Sequence, residues 1–402
     1  MSANPRLRPL DFQPVLYEGQ QMWLLRDPLE LTDYQLILPP AVAQVAILCD
    51  GTRSPEQIPA EFVRQTGMRI DAEIVHNTLA QLDEACLLVN ERSRQAIDKQ
   101  TTAFRALAHR PPALAGLSYP AEPAALTARL LDYGDKQQAD NPAPWNGRGV
   151  ISPHIDYHRG GPVYAQVWRQ AAAAARAAEL VLIFGTDHNG SAGRITLTRQ
   201  AYATPFGVLP TDETLVDRLA DAVGPTAFAE ELHHRNEHSI ELSAVWLHHV
   251  CGRPVPTIPI LCGSFHHFVA NGHHPDDEAR FARFVETLQT ETAGKRVLAV
   301  ASVDLAHVGP SFGDEFVMDE DRRQALKRRD GSLMEAISQG AATRFFDEIA
   351  AVNDRDRICG FSAIYLLLRY LGQTSGRQVA YTHCPADQED NSLVSICGLL
   401  LE

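Results

Sequence analysis

Residues 180–188, with the sequence LVLIFGTDH, are apolar over their first five positions and then end in a turn that carries a histidine. A short segment that is apolar throughout is typical of a strand buried on both faces of a parallel sheet. Residues just past the carboxyl end of such a strand face the crevice in which open α/β sheets bind ligands. The segment therefore predicts both a parallel sheet and a site at its edge.

Two further segments have the same layout. Residues 149–154 (GVISPH) end at a histidine, and residues 297–307 (VLAVASVDLAH) end in a turn with an aspartate and a histidine. Because the carboxyl ends of parallel strands meet at one edge of a sheet, we expect these three turns to lie together.

Strands and helices alternate beyond residue 149, as in a mainly parallel sheet with helices on both faces. The predicted strands are 149–153, 180–185, 255–261, 296–303, 378–383 and 393–399. The predicted helices are 162–178, 212–223, 238–250, 275–292 and 314–339. The predicted fold class is therefore α/β, with a mainly parallel central sheet flanked by helices.

Length and composition narrow the class of protein. A chain of 402 residues predicts two domains. Its net charge of -14 argues against binding to nucleic acid or to anionic membranes. The seven cysteines include no C-x-x-C pair, and neither a secretion signal nor a membrane-spanning segment is recognised. We therefore expect a reduced, cytoplasmic location.

Histidine is unevenly distributed along the chain. Of the sixteen histidines, only His76 and His109 precede residue 150, so any histidine chemistry belongs to the C-terminal part. There His154 and His188 each follow a predicted strand. One such histidine alone is more often structural, but the repetition favours a site. Asp187, next to His188, is a carboxylate that can orient an imidazole.

Three more segments carry side chains suited to a site. Residues 236–241 (NEHSIE) open a predicted helix on which His238 and Glu241 share a face. Asp304 and His307 form a carboxylate–imidazole pair fit for proton transfer if one turn holds both. Cys359 precedes an apolar helix, whose N-terminus favours a thiolate. The alternative for Cys359 is a small buried hydrophobic residue.

Five motifs, taken in order, resemble those of the Memo-like family, also called component B of the AmmeMemoRadiSam system. They are PHIDY at 153–157, GTDH at 185–188, EHSIE at 237–241, SVDLAH at 302–307 and ICG at 358–360. The resemblance covers about residues 145–402 and implies a fold related to the extradiol ring-cleaving dioxygenases, which use non-haem iron. In Memo-like proteins two histidines and a cysteine stand where those enzymes have two histidines and a carboxylate.

Carried to this chain, the resemblance implies one metal ion held by His154, His188 and Cys359. A thiolate in place of a carboxylate softens the site toward copper, zinc or thiolate-bound iron, and iron or copper is favoured. The expected catalytic groups are His238 and His307, with Asp304 orienting His307. The residues expected to support the ligands or to contact substrate are Tyr157, Asp156, Asp187 and Glu241.

Residues 1–95 are predicted to form a small α+β winged-helix domain with three strands followed by three helices. The segments LCDGTRSPEQI at 48–58 and LAQLDEACLLV at 79–89 resemble the PqqD-like peptide-recognition module found with radical SAM enzymes. A DNA-binding winged helix is the alternative, but seven Arg, no Lys and thirteen Asp or Glu leave residues 1–92 with a charge of -6. The implied partner is a peptide or a radical SAM protein. Residues 96–144 are interpreted as a connection and 145–402 as the metal-binding domain.

The expected function is that of a redox enzyme dependent on non-haem iron or copper, similar to an oxygenase, acting with a radical SAM or peptide-modification system. Two alternatives stay open. One is a non-catalytic peptide-binding or scaffold protein that retains the dioxygenase fold. The other is a zinc-dependent hydrolase that uses the same residues.

Overall fold

The computed structural model describes residues 4–135 and 145–402. The chain divides into two compact units, an N-terminal unit of residues 1–106 and a C-terminal unit of residues 107–402. Among the described residues, no helix is both long enough and apolar enough to cross a membrane.

The N-terminal unit has a three-stranded antiparallel sheet followed by helices. Its strands are β1 (Asp11–Tyr17), β2 (Gln20–Arg26) and β3 (Leu36–Leu38), in the order β1-β2-β3. Its helices are α1 (Pro40–Ile47), α2 (Ile58–Thr66), α3 (Ala72–Glu84) and α4 (Glu91–Arg105). The predicted small sheet is present, and the likeness to the PqqD-like module stays a prediction.

The segment predicted as a connection, residues 96–144, contains regular structure. Helix α4 continues to Arg105, and α5 (Pro123–Asp135) belongs to the C-terminal unit. Between these helices Arg110 is fully buried within the C-terminal unit. Residues 136–144 lie outside the described residues.

The C-terminal unit is built on an eight-stranded sheet. Four central strands run parallel in the order β4-β10-β5-β9, and antiparallel strands flank them on both sides. The central strands are β4 (Gly149–Ser152), β5 (Leu180–Thr186), β9 (Thr257–Cys262) and β10 (Val297–Ser302). The flanking strands are β6 (Ile195–Leu197), β11 (His307–Val308), β12 (Gly376–Pro385) and β13 (Leu393–Leu401). A separate hairpin pairs β7 (Tyr202–Thr204) with β8 (Gly207–Leu209).

Helices cover both faces of this sheet. They are α6 (Tyr157–Ala177), α7 (Glu213–Val223), α8 (His238–Cys251), α9 (His266–Asn271), α10 (Ala279–Glu291), α11 (Glu320–Ser338), α12 (Ala342–Ala351) and α13 (Phe361–Leu371). Alternate β5 side chains point to opposite faces. Val181 and Ile183 pack in the core with α6 and α8, whereas Leu182 and Phe184 pack in the core with α10 and α13. The predicted α/β fold with a mostly parallel central sheet is confirmed.

The strand register aligns the predicted turns. Ser302 at the end of β10 pairs with Ser152 of β4 on one side and with Gly185 of β5 on the other. The chain positions that follow these residues therefore leave the sheet at the same edge, as the apolar strands predicted.

Candidate metal centre

Three histidines meet at this edge of the sheet. The ring centroids lie 4.9 Å apart for His154 and His188, 5.2 Å for His154 and His238, and 4.7 Å for His188 and His238. One ring nitrogen of each lies within 4.8 Å of the others. His154 is buried, while the side chains of His188 and His238 are 35% and 38% exposed, so the cluster opens to solvent on one side.

The orientation of His154 is fixed by backbone at the end of β10. Its Nδ1 lies 3.0 Å from the carbonyl oxygen of Ser302. A carbonyl only accepts, so Nδ1 carries the proton and donates, and Nε2 keeps a free lone pair. That Nε2 lies 3.2 Å from Sγ of Cys359. The ring is therefore held in the tautomer that a metal ligand needs.

Glu237 fixes the ring orientation of the other two histidines, His188 and His238. His188 Nδ1 lies 3.1 Å from both carboxylate oxygens, and His238 Nδ1 lies 3.1 Å from Oε1. The carboxylate also accepts from the backbone N–H of His188 and caps α8 by accepting from that of Ser239. With Nδ1 engaged by Glu237, His188 directs Nε2 to Sγ of Cys359 at 3.4 Å.

The charges in the cluster set the protonation of its members. Burial opposes ionisation of Glu237, but the charges of His188 and His238 outweigh it, and the pKa of the carboxyl lies well below its usual value. Burial also opposes protonation of His188, yet Glu237 and Cys359 hold the pKa of this ring well above its usual value. For His154, burial and the two neighbouring histidines lower the pKa well below the usual value. His154 is thus the neutral imidazole that metal binding requires.

Cys359 lies in a loop that is hydrogen-bonded to the segment that follows β10. The backbone N–H of Cys359 donates to the carbonyl oxygen of Leu305, and the backbone N–H of Gly360 donates to the carbonyl oxygen of Asp304. A β-carbon at Gly360 would lie 2.5 Å from Cβ of Val303, so only glycine allows this approach. The approach brings Sγ to the two Nε2 atoms, and the cysteine of the ICG motif lies in the site rather than in the core.

Asp304 and His307 do not form the predicted pair. Asp304 accepts from the backbone N–H groups of His154 and Ile155, and its Oδ2 lies 3.6 Å from His154 Nε2. His307 directs Nδ1 to the carbonyl oxygen of Leu305 and packs its ring on Phe312. The prediction that Asp304 orients His307 is therefore wrong: residues 303–306 continue past β10, and His307 begins β11, where it pairs with Val394.

Burial shifts the pKa of both Asp304 and His307. It raises the pKa of Asp304 to about 6, against the two backbone hydrogen bonds that favour its ionised form. It lowers the pKa of His307 to about 4. Near neutral pH His307 is a neutral imidazole, and Asp304 can exchange a proton close to the cluster.

Tyr157 and Asp156, which follow β4 and were predicted to support the ligands or to contact substrate, make contacts that stabilise the fold. The Tyr157 hydroxyl donates to the carbonyl oxygen of Leu242 at 2.6 Å, and the ring is buried. Asp156 caps α6 by accepting from the backbone N–H of Arg159 and pairs with its guanidinium. These contacts hold α6 in place, and neither residue reaches the three histidines through them.

Asp187 orients an imidazole, but not one of the three. Its carboxylate lies 3.0 Å from Nδ1 of His233. Burial raises the pKa of Asp187, and the bond with His233 opposes that rise. With Glu230 these residues form a second group whose ligand atoms lie within 4.8 Å of one another, but Glu230 already accepts from Ser191.

Glu241 also turns away from the histidines. It is fully buried and accepts from Arg110 Nη1 at 2.5 Å and from the backbone N–H groups of Ala113 and Leu114 at 2.9 Å. The Tyr119 hydroxyl donates to Oε1 of Glu241. The expectation that Glu241 supports the ligands or meets substrate is not matched by any of these contacts.

Sequence reasoning missed two groups that orient the cluster. Glu237 is the first residue of the EHSIE motif and was not among the predicted site residues. A carboxylate directly before a histidine at the start of a helix is nevertheless a usable signal of a group that orients an imidazole. The carbonyl of Ser302 leaves no signal in side-chain chemistry, because every residue has a carbonyl. Only the register of β10 beside β4 reveals it.

The chain is similar to known proteins of one family over most of its length. A family model described as Memo-like protein matches residues 110–400. A MEMO1 family protein of Aquifex aeolicus is 26% identical over 403 residues, covering 99% of each chain. A MEMO1 family protein of Desulfurococcus amylolyticus is 26% identical over 67% of this chain and 89% of its own. One of Methanopyrus kandleri is 30% identical over 50% of this chain and 70% of its own.

Proposed function

The chain belongs to the Memo-like protein family, and on that premise we propose that it is a metal-dependent redox enzyme whose ion is held by His154, His188 and Cys359. The proposal places one ion in each chain, at the edge of the sheet where β4, β5 and β10 end.

The observation that carries the proposal is the convergence of three ligand atoms. Nε2 of His154 and Nε2 of His188 lie 3.2 Å and 3.4 Å from Sγ of Cys359. Nitrogen and sulfur ligands at about 2.0 Å and about 2.3 Å from a tetrahedral ion are about 3.5 Å apart. The spacing of these atoms therefore fits a metal ion, which would displace the Nε2 proton that the raised pKa of His188 favours in the metal-free protein.

The donor set favours particular metals. Two imidazoles and a thiolate suit copper, zinc or iron, and likeness to the extradiol dioxygenases favours a redox metal. When bound, iron or copper would supply one-electron chemistry at a position left open for substrate or water. The exposed side of the cluster, at His188 and His238, gives access to that position.

The surrounding residues handle protons. His238 has Nδ1 fixed by Glu237, so its ring can donate to or accept from a group at the open side. Asp304 places Oδ2 3.6 Å from His154 Nε2, and burial raises the pKa of this carboxyl to about 6, so it is suited to proton exchange beside the ligands. His307 provides a separate neutral imidazole. In this proposal Asp304 and His307 act independently.

The N-terminal unit is proposed to bind a peptide or a radical SAM protein in the cytoplasm. Strand β1 pairs only with β2 among the described residues, which leaves its other edge free for strand addition. Leu16 and Tyr17 at its end are 83% and 50% exposed. These features support a peptide partner rather than nucleic acid, given the acidic charge of this region.

Metal analysis of the full chain, purified without chelators, tests the proposal. We expect about one iron or copper ion per chain, lost in His154→Ala, His188→Ala and Cys359→Ser. Cys384→Ser, at a buried cysteine that is not a proposed ligand, and His158→Ala, at an exposed histidine, are the controls and should keep the metal. The assignment is wrong if all three site variants bind iron or copper as well as the parent.

Metal analysis combined with assays of dioxygen consumption and of peptide binding separates the alternatives. The donor set also fits zinc, and a protein that contains only zinc and consumes no dioxygen would favour the hydrolase. Peptide binding that survives Cys359→Ser without any turnover would favour the scaffold protein.

A further inference from the structure

We infer that Arg110 is a positioning residue for the metal centre, because it fixes the turn that carries Glu237 and His238. The inference rests on the proposed function in that it assigns this support to a centre formed by His154, His188 and Cys359. Arg110 precedes β4 in the chain and touches none of these three residues through its guanidinium hydrogen bonds.

The guanidinium of Arg110 binds the backbone just before α8. Its Nε donates to the carbonyl oxygen of His234 at 2.6 Å, and its Nη2 donates to that of Glu237 at 3.1 Å. Its Nη1 donates to Glu241 at 2.5 Å, and the group lies 4.7 Å above the Tyr202 ring. The side chain is fully buried, so water does not compete for these bonds.

An arginine is required by this arrangement. Three carbonyl oxygens, those of His234, Glu237 and Pro111, and a carboxylate surround one planar group. The guanidinium offers five N–H donors in a fixed fork that can serve them all. Lysine has three donors on a single nitrogen and cannot span the carbonyls and the carboxylate in the same geometry. The bonds to His234 and Glu237 go to main-chain oxygens, so they fix the path of the chain itself before α8.

That path determines where the Glu237 carboxylate lies. The carbonyl of Glu237 is held by Arg110, and its side chain reaches from the same residue to His188, His238 and the N–H of Ser239. A shift of the turn therefore moves the carboxylate away from both rings. Functional side chains have to be held within about 0.5 Å of their working positions, so a small shift suffices.

Glu241 holds Arg110 in turn. It ties the guanidinium to the N–H groups of Ala113 and Leu114 and to the hydroxyl of Tyr119. A segment more than a hundred residues away in sequence thereby supports the start of α8. We name Arg110, Glu241 and Tyr119 the clamp.

Two readouts test the clamp in the full-length protein. In the metal-free protein, NMR of the imidazole Nδ1–H groups of His188 and His238 reports their bonds to Glu237. In the loaded protein, Co²⁺ titration reports affinity, and the thiolate-to-cobalt absorption reports Cys359. We expect Arg110→Met and Arg110→Lys to shift or broaden both Nδ1–H signals and to weaken Co²⁺ binding by about 10- to 100-fold.

Leu219→Ala is the control for a general loss of stability. Leu219 is fully buried in α7 of the same unit, and this variant should keep both Nδ1–H signals and the parent affinity. Tyr119→Phe, which removes only one hydrogen bond from the clamp, should give a smaller change in the same direction as Arg110→Met. It carries the test if the Arg110 variants do not fold.

The two hypotheses fail in different ways. A parent protein that binds neither iron, copper nor Co²⁺ overturns the proposed function, while the Nδ1–H signals of the metal-free chain still decide whether the clamp acts. Arg110→Lys or Tyr119→Phe with signals and affinity indistinguishable from those of Leu219→Ala overturns the inference.

Discussion

Two buried carboxylates at the start of α8 have different roles. Glu237 and Glu241 are four residues apart and are 5% and 0% exposed. Glu237 faces the candidate metal centre and accepts from two imidazoles, whereas Glu241 faces the clamp and accepts from Arg110. The same side-chain chemistry thus orients a histidine cluster on one side and holds a buried arginine on the other.

Backbone conformation explains the difference. Glu237 is the N-cap of α8, with an extended ψ of 127°, so its side chain folds over the helix end toward the strand edge. Glu241 lies inside the first turns of the helix, where its side chain points outward from the axis. Helical spacing predicted a shared face for His238 and Glu241, but it carries no information about Glu237, which lies just outside the helix.

Glu241→Gln has the largest expected effect in this comparison. It leaves the buried guanidinium of Arg110 without its carboxylate, and loss of one partner of a buried ion pair costs about 3–5 kcal/mol of unfolding free energy. Denaturant unfolding measures the loss. The control Asp217→Asn breaks a pair with Arg199 that is about half exposed and should cost less than about 1 kcal/mol. Equal losses in the two variants would contradict the role assigned to Glu241.

Glu237→Gln should affect the metal centre more than the scaffold. One amide oxygen cannot accept from both imidazoles as two carboxylate oxygens do, so we expect metal affinity to fall by about 10- to 100-fold. That loss corresponds to about 1.4–2.7 kcal/mol, and the unfolding free energy should fall less than in Glu241→Gln. Competition titration with Co²⁺ measures it.

Asp212→Asn is the matched control for that prediction. Asp212 also caps a helix, accepting from the N–H of Leu215, but its cap belongs to α7. It should leave Co²⁺ affinity unchanged. An equal affinity of the parent and Glu237→Gln would remove the distinction between the two carboxylates.

The two sides should also differ in their response to pH. His234, on the clamp side, donates from Nε2 to the carbonyl of Thr196 and accepts at Nδ1 from Tyr202, so the ring is neutral. Burial lowers the pKa of this ring to about 3, and the charge of Arg110 adds to that shift. On the other side, Glu237 raises the pKa of His188 against the effect of burial.

His234 makes the free energy of unfolding decrease as the pH falls, because the folded protein excludes a proton that the unfolded chain binds. Below pH of about 6.5 the unfolded chain binds a proton that the folded chain excludes, so stability is complete above that pH and falls as the pH falls toward 3. Between pH 5.5 and pH 4.5 this residue should cost about 1.4 kcal/mol. His234→Gln removes that slope, with His158→Gln at an exposed position as the baseline. Parallel unfolding profiles for the parent and His234→Gln would show that the ring does not titrate in this way.

Part of this architecture was readable from particular residues. The apolar runs that end at His154 and His188 predicted two parallel strands and a common edge, and the structure places both rings there. The family resemblance added Cys359, whose Sγ lies against both rings. These signals are local: burial on both faces makes a strand apolar, and the next polar residue follows at its end.

Other contacts were not readable. Asp304 is three residues from His307 in sequence but bonds to the N–H groups of His154 and Ile155, which arrive from a neighbouring strand. Tyr157 follows the first motif closely, yet its hydroxyl bonds to Leu242. Both outcomes depend on which strand lies beside which, and short-range spacing carries no information about that.

Hydrophobic periodicity and strand ends are local properties of the chain, so the amino-acid pattern was enough to predict the sheet, its edge and the residue types available there. The partner of each carboxylate depends instead on the folded arrangement of distant segments. Glu237 met His188, Asp187 met His233, and Glu241 met Arg110, across separations of 49, 46 and 131 residues. A buried charge has to find a partner or lose its ionisation, and the packing of the elements decides which partner is within reach.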